Sequence, residues 1–234
     1  MRRTGLSLAL AALLALSACT SKPEEIAEVD VAVFLAADVT VSQKSAVEQR
    51  LRSMPSVTEV SFETREQAYE RQKADLKDKP DLLAALKPEY VRELLHATVS
   101  DASIAEAVVA VMAEVDGVED VTLRIADVDP QPSRIGVVVR LKPSATDEQR
   151  AAVEKTVRAL PTAKSIEFED RDAAYERLRE RCKGKGDLST QLQPQMTHES
   201  WRFEMPLNRE GSGVGELIGL DGVDGVTLAP LAML

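Results

Sequence analysis

The residue types able to do chemistry are few in this chain, and their spacing argues against catalysis. The only histidines are His96 and His198, and neither has Cys, Asp or Glu neighbours at metal-ligand spacing. Gly184-Lys185-Gly186 lacks the rest of a phosphate-loop frame, in which backbone amides and a lysine cradle phosphates. Gly211-Ser212-Gly213-Val214-Gly215 fails the dinucleotide fingerprint, because Glu216 stands where the third glycine belongs. No G-x-S-x-G elbow presents a serine nucleophile. The acid pairs Glu24-Glu25 and Glu169-Asp170 fall on a leash and at a helix start, where water or the helix dipole satisfies them. The expectation is a protein without enzymatic activity, metal or other cofactor.

The cysteines are the exception. Arg2 and Arg3 precede an apolar run, Leu6–Leu16, that is too short to cross a membrane but proportioned as an export signal. The run closes on Leu16-Ser17-Ala18-Cys19, which resembles a bacterial lipobox. There small residues admit a peptidase, and the thiol accepts a diacylglycerol. Cys19 is thus the expected lipid anchor, after a signal peptide at residues 1–18 and at the head of a polar tether at 19–29. Cys182 is then left without a disulfide partner. It reads as a partly buried helix residue. Removing Arg2 and Arg3 takes the basic residues from 29 to 27 and the charge from −10 to −12. Such an acidic chain is a poor ligand for nucleic acid or other polyanions.

The elements follow from a repetition. VSFETREQAYERQ (Val60–Gln72) returns as IEFEDRDAAYERL (Ile166–Leu178), 106 residues later. Without a gap, Val31–Arg71 and Val137–Arg177 agree at 17 of 41 positions. The offset holds at Lys79/Lys185 and Pro88/Pro194, and DGVEDVTL (Asp116–Leu123) recurs as DGVDGVTL (Asp221–Leu228). A period of this size is that of a small domain, so two tandem domains are expected. They span residues 30–126 and 134–234 about a linker at 127–133, whose polar, proline-bearing sequence predicts domains that melt separately.

Val31–Leu35 reads as a strand. Ala46, Val47, Leu51 and Met54 form a helical stripe ended by Pro55. Val60 and Phe62 alternate with polar neighbours, which predicts a half-buried strand with Phe62, and its counterpart Phe168, in the core. Thr64 and Gln67 make a capping box for a helix in which Tyr69, like Tyr175 in the repeat, fills core. Pro80–Leu86 and Pro88–Leu95 read as two short apolar helices, followed by a strand near Ala97–Ser100. Ile104, Val108, Val111, Met112 and Val115 line a further helix that stops at Gly117. Val118–Ile125 closes the unit. In the second unit the last helix is weakened by Gly211, Gly213, Gly215 and Gly219 and should be short. The fold class is α+β: two tandem ferredoxin-like β-α-β/β-α-β sandwiches, each with an inserted helical lobe.

The Val-Phe-Leu strand, the Phe62-Glu63 strand end, the Ala68-Tyr69 pair and the Gly117-Val118 step together resemble the extracellular domain of FtsX. FtsX is the permease-like partner of a cell-division ATPase. The second copy keeps Phe168, Glu169, Ala174, Tyr175 and Gly222-Val223, but has Arg140-Leu141 in place of Phe34-Leu35. The four membrane helices of FtsX are missing. The resemblance implies an extracytoplasmic, non-catalytic domain whose lobe exposes apolar side chains to recruit peptidoglycan hydrolases.

The expected function is therefore a lipid-anchored adaptor or regulator of such a hydrolase, or of another division or envelope partner. Its expected contacts are Leu82, Leu83, Leu86, Tyr90, Leu94 and Leu95, with Trp201 and Phe203 in the diverged second lobe. That divergence implies either a different partner or a contact between the copies. The alternative is a small-ligand or sensory lipoprotein that binds in the inter-repeat cleft. A structural spacer is a third reading.

Overall fold

The computed structural model describes residues 28–125, 132–207 and 213–234. Cys19, the signal peptide and most of the tether and linker lie outside these residues.

The first copy runs β1 (Val29–Leu35), α1 (Val41–Ser53), β2 (Val57–Glu63), α2 (Arg65–Asp75), α3 (Pro80–Ala85), a 3-10 turn (Pro88–Tyr90), β3 (Leu94–Val99), a second 3-10 turn (Ala102–Ile104), α4 (Ala105–Ala113) and β4 (Val118–Ile125). The second repeats it: β5 (Arg134–Leu141), α5 (Asp147–Ala159), β6 (Lys164–Glu169), α6 (Arg171–Arg181), α7 (Leu188–Gln191), a 3-10 turn (Pro194–Met196), β7 (Ser200–Pro206), α8 (Val214–Ile218), β8 (Val223–Ala229) and a last 3-10 turn (Leu231–Met233). The two antiparallel sheets have the orders β2-β3-β1-β4 and β6-β7-β5-β8. In both, two split β-α-β units interleave, the ferredoxin-like topology.

Local chemistry sets the boundaries. Thr40, Thr64 and Thr146 each open a helix by accepting from the amide three residues on, and a glutamine there bonds back to the threonine amide. The repeated Asp-Gly-Val step is a left-handed turn: Gly117 and Gly222 both have φ +92°. A Cβ on Gly222 would lie 2.8 Å from Gln149 Cβ, so glycine is required for space as well as conformation. Gly213 starts α8, which is only five residues long, in keeping with the glycine content of that stretch.

Alternation along β1 buries Val29, Val31, Val33 and Leu35 against Val47 and Leu51 of α1 and Val108 and Met112 of α4. On the opposite face Ala32 and Leu94 pack with Ala68, Val91 and Leu86, so the first lobe folds back over the second side of the sheet. The strand begins at Val29, one residue inside the expected tether.

Several expectations are corrected. Pro88–Leu95 is not a helix, because a single 3-10 turn gives way at Val91 to extended chain and β3 starts at Leu94. Leu94 and Leu95 are consequently buried strand residues. Phe62 and Phe168 are 37% and 46% exposed. They sit on the edge strands β2 and β6, beyond bulges at Glu59 and Ser165, both at φ 52°. The Lys44 ammonium caps the Phe62 ring at 4.5 Å, and Phe168 leans on Trp201 at 5.1 Å.

Nor are the copies independent bodies. Leu178, Cys182, Leu188 and Leu192 of the second lobe belong to the same buried cluster as the first copy's Ile104, Ala105 and Val108. The helix α4 lies between its own sheet and that lobe. An apolar seam of this kind couples the copies across the linker.

Candidate functional site

In the first copy, α3 and the following 3-10 turn carry the apolar surface. Leu82 is 54% exposed and Tyr90 66%, while Leu83 and Leu86 are half-buried. Leu86 contributes to the small cluster beneath. Lys87 places its ammonium 5.5 Å from the Tyr90 ring centre, a cation–π contact at the rim. Four of the expected contact residues thus lie on α3 and the turn after it, two of them exposed and two half-buried. The other four do not. Leu94, Leu95, Trp201 and Phe203 are buried on β3 and β7, where cross-strand pairing with β1 and β5 turns them into the core.

The second lobe has a cover that the first lacks. Leu188 is fully buried, and so is Cys182. Burial pushes the Cys182 thiol up to about 11, so it is protonated and unreactive at neutral pH. Around the seam Lys185 Nζ lies 2.7 Å from Asp101 Oδ2, and this pair lowers the Asp101 carboxyl.

A four-residue ion cluster lies beside the seam. Arg202, on the face of β7 away from its own core, donates through Nη1 and Nη2 to both oxygens of Glu106, at 3.2 and 3.1 Å. Arg177 donates to Glu169 at 2.6 and 2.9 Å and to Glu106 at 3.1 Å. Arg202 also reaches Glu169 at 3.3 Å and the Met233 carbonyl. Burial would raise the Glu106 carboxyl, but the Arg202 and Arg177 guanidiniums outweigh it and hold the group below the usual carboxylate range.

The first copy carries the counterpart. Arg71 donates to Glu63 at 2.9 and 3.0 Å, and His96 Nε2 lies 2.9 Å from the same carboxylate. Hydrogen bonds from Arg71, and then from His96, lower the Glu63 carboxyl despite partial burial. Sequence reasoning did not single this cluster out. The available signal was the Glu and Arg eight residues apart in both repeats of F-E-x-R-x-x-A-Y-E-R.

A cleft of about 750 Å³ also opens between β4 and β8, with Asp120, Thr122, Arg124, Arg140 and Thr227 among its polar walls. Among the described residues no three His, Cys, Asp or Glu side chains converge as a metal site, and no helix is long and apolar enough to cross a membrane.

A family model for the FtsX extracellular domain matches residues 28–130 and again residues 134–229. No curated protein matches the chain.

Proposed function

The chain belongs to the FtsX extracellular-domain family, twice over, and from its extracytoplasmic, division-related role we propose a lipid-anchored, non-enzymatic adaptor that recruits or regulates a peptidoglycan hydrolase. The observation that carries this reading is the exposure of Leu82 and Tyr90. Large apolar side chains left uncovered on one short lobe of a polar domain mark a protein-binding surface. The half-buried Leu83 and Leu86 extend the patch and fix it to the domain.

Replacing Leu82 and Tyr90 with serine should reduce hydrolase capture, read by crosslinking in intact cells, by about tenfold or more. Neither side chain supports the core, so circular dichroism and melting should be unchanged. Undiminished capture would remove the lobe as the site. It would favour the second reading, a small-ligand or sensory lipoprotein binding in the inter-repeat cleft, whose size and convergent polar groups suit a ligand.

Anchoring rests on Cys19. The Cys19→Ser protein should lose metabolic lipid labelling and appear as a precursor or as released protein. Lipid labelling equal to that of the parent would dismiss the anchor.

A further inference from the structure

Four strand edges bound the two sheets, and they are not alike. β2 and β6 are broken by bulges, between Thr58 and Ser61 and between Lys164 and Glu167. A bulge puts an edge out of register with an incoming strand and so protects it from pairing. The other two edges are β4 and β8. β4 pairs with β1 without a break from Asp120 to Ile125, and β8 pairs with β5 without a break from Gly225 to Ala229. Their outer sides are therefore regular.

These two regular edges face each other across the cleft between the copies. Its walls are the consecutive residues Asp120–Ile125 on one side and Gly225–Leu228 on the other. Successive side chains of a strand point to opposite faces, so a wall made of every residue in a run is a strand met edge-on, presenting its main chain. No main-chain hydrogen bond joins β4 to β8 among the described residues. Every second amide and carbonyl of each strand thus points toward the cleft without a main-chain partner.

The side chains around the cleft do not single out a charged ligand. Arg140 pairs with Asp224 at 3.6 Å, Glu106 is held by Arg177 and Arg202, and Asp120 and Arg124 lie four residues apart on one strand. Between them stand Val121, Leu123, Val226 and Leu228, with Thr122 and Thr227. The cleft therefore offers main-chain donors and acceptors among apolar and hydroxyl side chains. The β4 wall is long enough for about six extended residues, or about 20 Å. A second copy of this chain has no strand to supply, because two of its edges are bulged and the two regular ones face each other.

We infer that the cleft receives an extended, β-branched peptide segment of a partner polypeptide, which joins the first sheet as a fifth strand beside β4 while β8 closes its other side. Main-chain hydrogen bonds carry the recognition, and alternating side chains fit the walls. This surface is separate from the helical lobe and does not rest on the adaptor reading.

The probe is the fluorescein-labelled peptide Lys-Val-Thr-Val-Thr-Val-Thr-Lys, added to the purified protein. It should bind, and binding should persist at high salt because the contact is not ionic. N-methylation of its valine and threonine amides should weaken it by about tenfold or more, the scale of several lost hydrogen bonds. With the parent peptide bound, hydrogen exchange should slow by about tenfold or more at alternate amides between Asp120 and Ile125. Thr122→Trp and Thr227→Trp, one on each wall, fill the cleft, and each should abolish binding. Melting curves check that both variants are folded, and the exchange measurement on the parent protein stands without them. Leu82→Ser with Tyr90→Ser should leave peptide binding unchanged. No binding, equal binding of the methylated peptide, exchange protection that spares β4, or binding lost with the Leu82/Tyr90 change would overturn the inference.

Discussion

Phe203→Ala is expected to cost about 3–5 kcal/mol of stability, measured by urea or thermal denaturation. Phe203 is fully buried on β7, an interior strand of the second sheet, and packs between the sheet and α5 with Val137, Val153 and Val157. Removing its ring leaves a cavity that neighbours on an interior strand cannot close. Phe62→Ala should cost only about 1 kcal/mol, since its ring is partly exposed on an edge strand and has the Lys44 ammonium over it. Equal losses for the two substitutions would contradict the edge position of β2.

Arg202→Met should be comparably damaging, at about 3–5 kcal/mol, by a different mechanism. Only 6% of the Arg202 side chain is exposed, and it answers Glu106 and Glu169 at once. Without it two carboxylates share the single guanidinium of Arg177, and the Met233 carbonyl keeps only Arg181 as a donor. The intact protein should melt in one transition through the shared seam, and the variant in two. Adding Glu106→Gln to Arg202→Met should restore part of the loss, because the uncompensated charge goes with it.

Acid should act on the same contact. The folded-state carboxyl of Glu106 titrates below its ordinary value, so its stabilisation is complete above about pH 4.3 and is lost as pH falls through the depressed value. Separation of the two melting transitions should therefore set in only below about pH 4. Two transitions at neutral pH in the parent protein would refute the coupling.

What the sequence determined by itself was everything local. The repeat announced two domains, period-two and helical stripes located most strands and helices, threonine–glutamine pairs marked helix starts, and the Asp-Gly-Val steps marked obligatory left-handed turns. These depend on residues within a few positions of one another, so a linear reading suffices. It faltered first at Val91-Arg92-Glu93-Leu94-Leu95, whose apolar spacing suits a helical face as well as a strand entering a core. Cross-strand pairing with β1 decided for the strand. It faltered again at Phe62 and Phe168, because period two assigns a face of the sheet but not whether a helix reaches over the edge strand.

The site itself shows the division most clearly. Leu82 and Leu188 are the same residue at the same place in the repeat, yet one is 54% exposed and the other fully buried. Their neighbours differ (Pro80 and Leu83 against Gly186 and Ser189), but none of these residues supplies the cover. The cover over Leu188 is α4, which lies more than seventy residues away in the chain and is brought there by apolar contact and by the Glu106–Arg202 pair. Burial is a property of what arrives from elsewhere, and only the tertiary structure decides that.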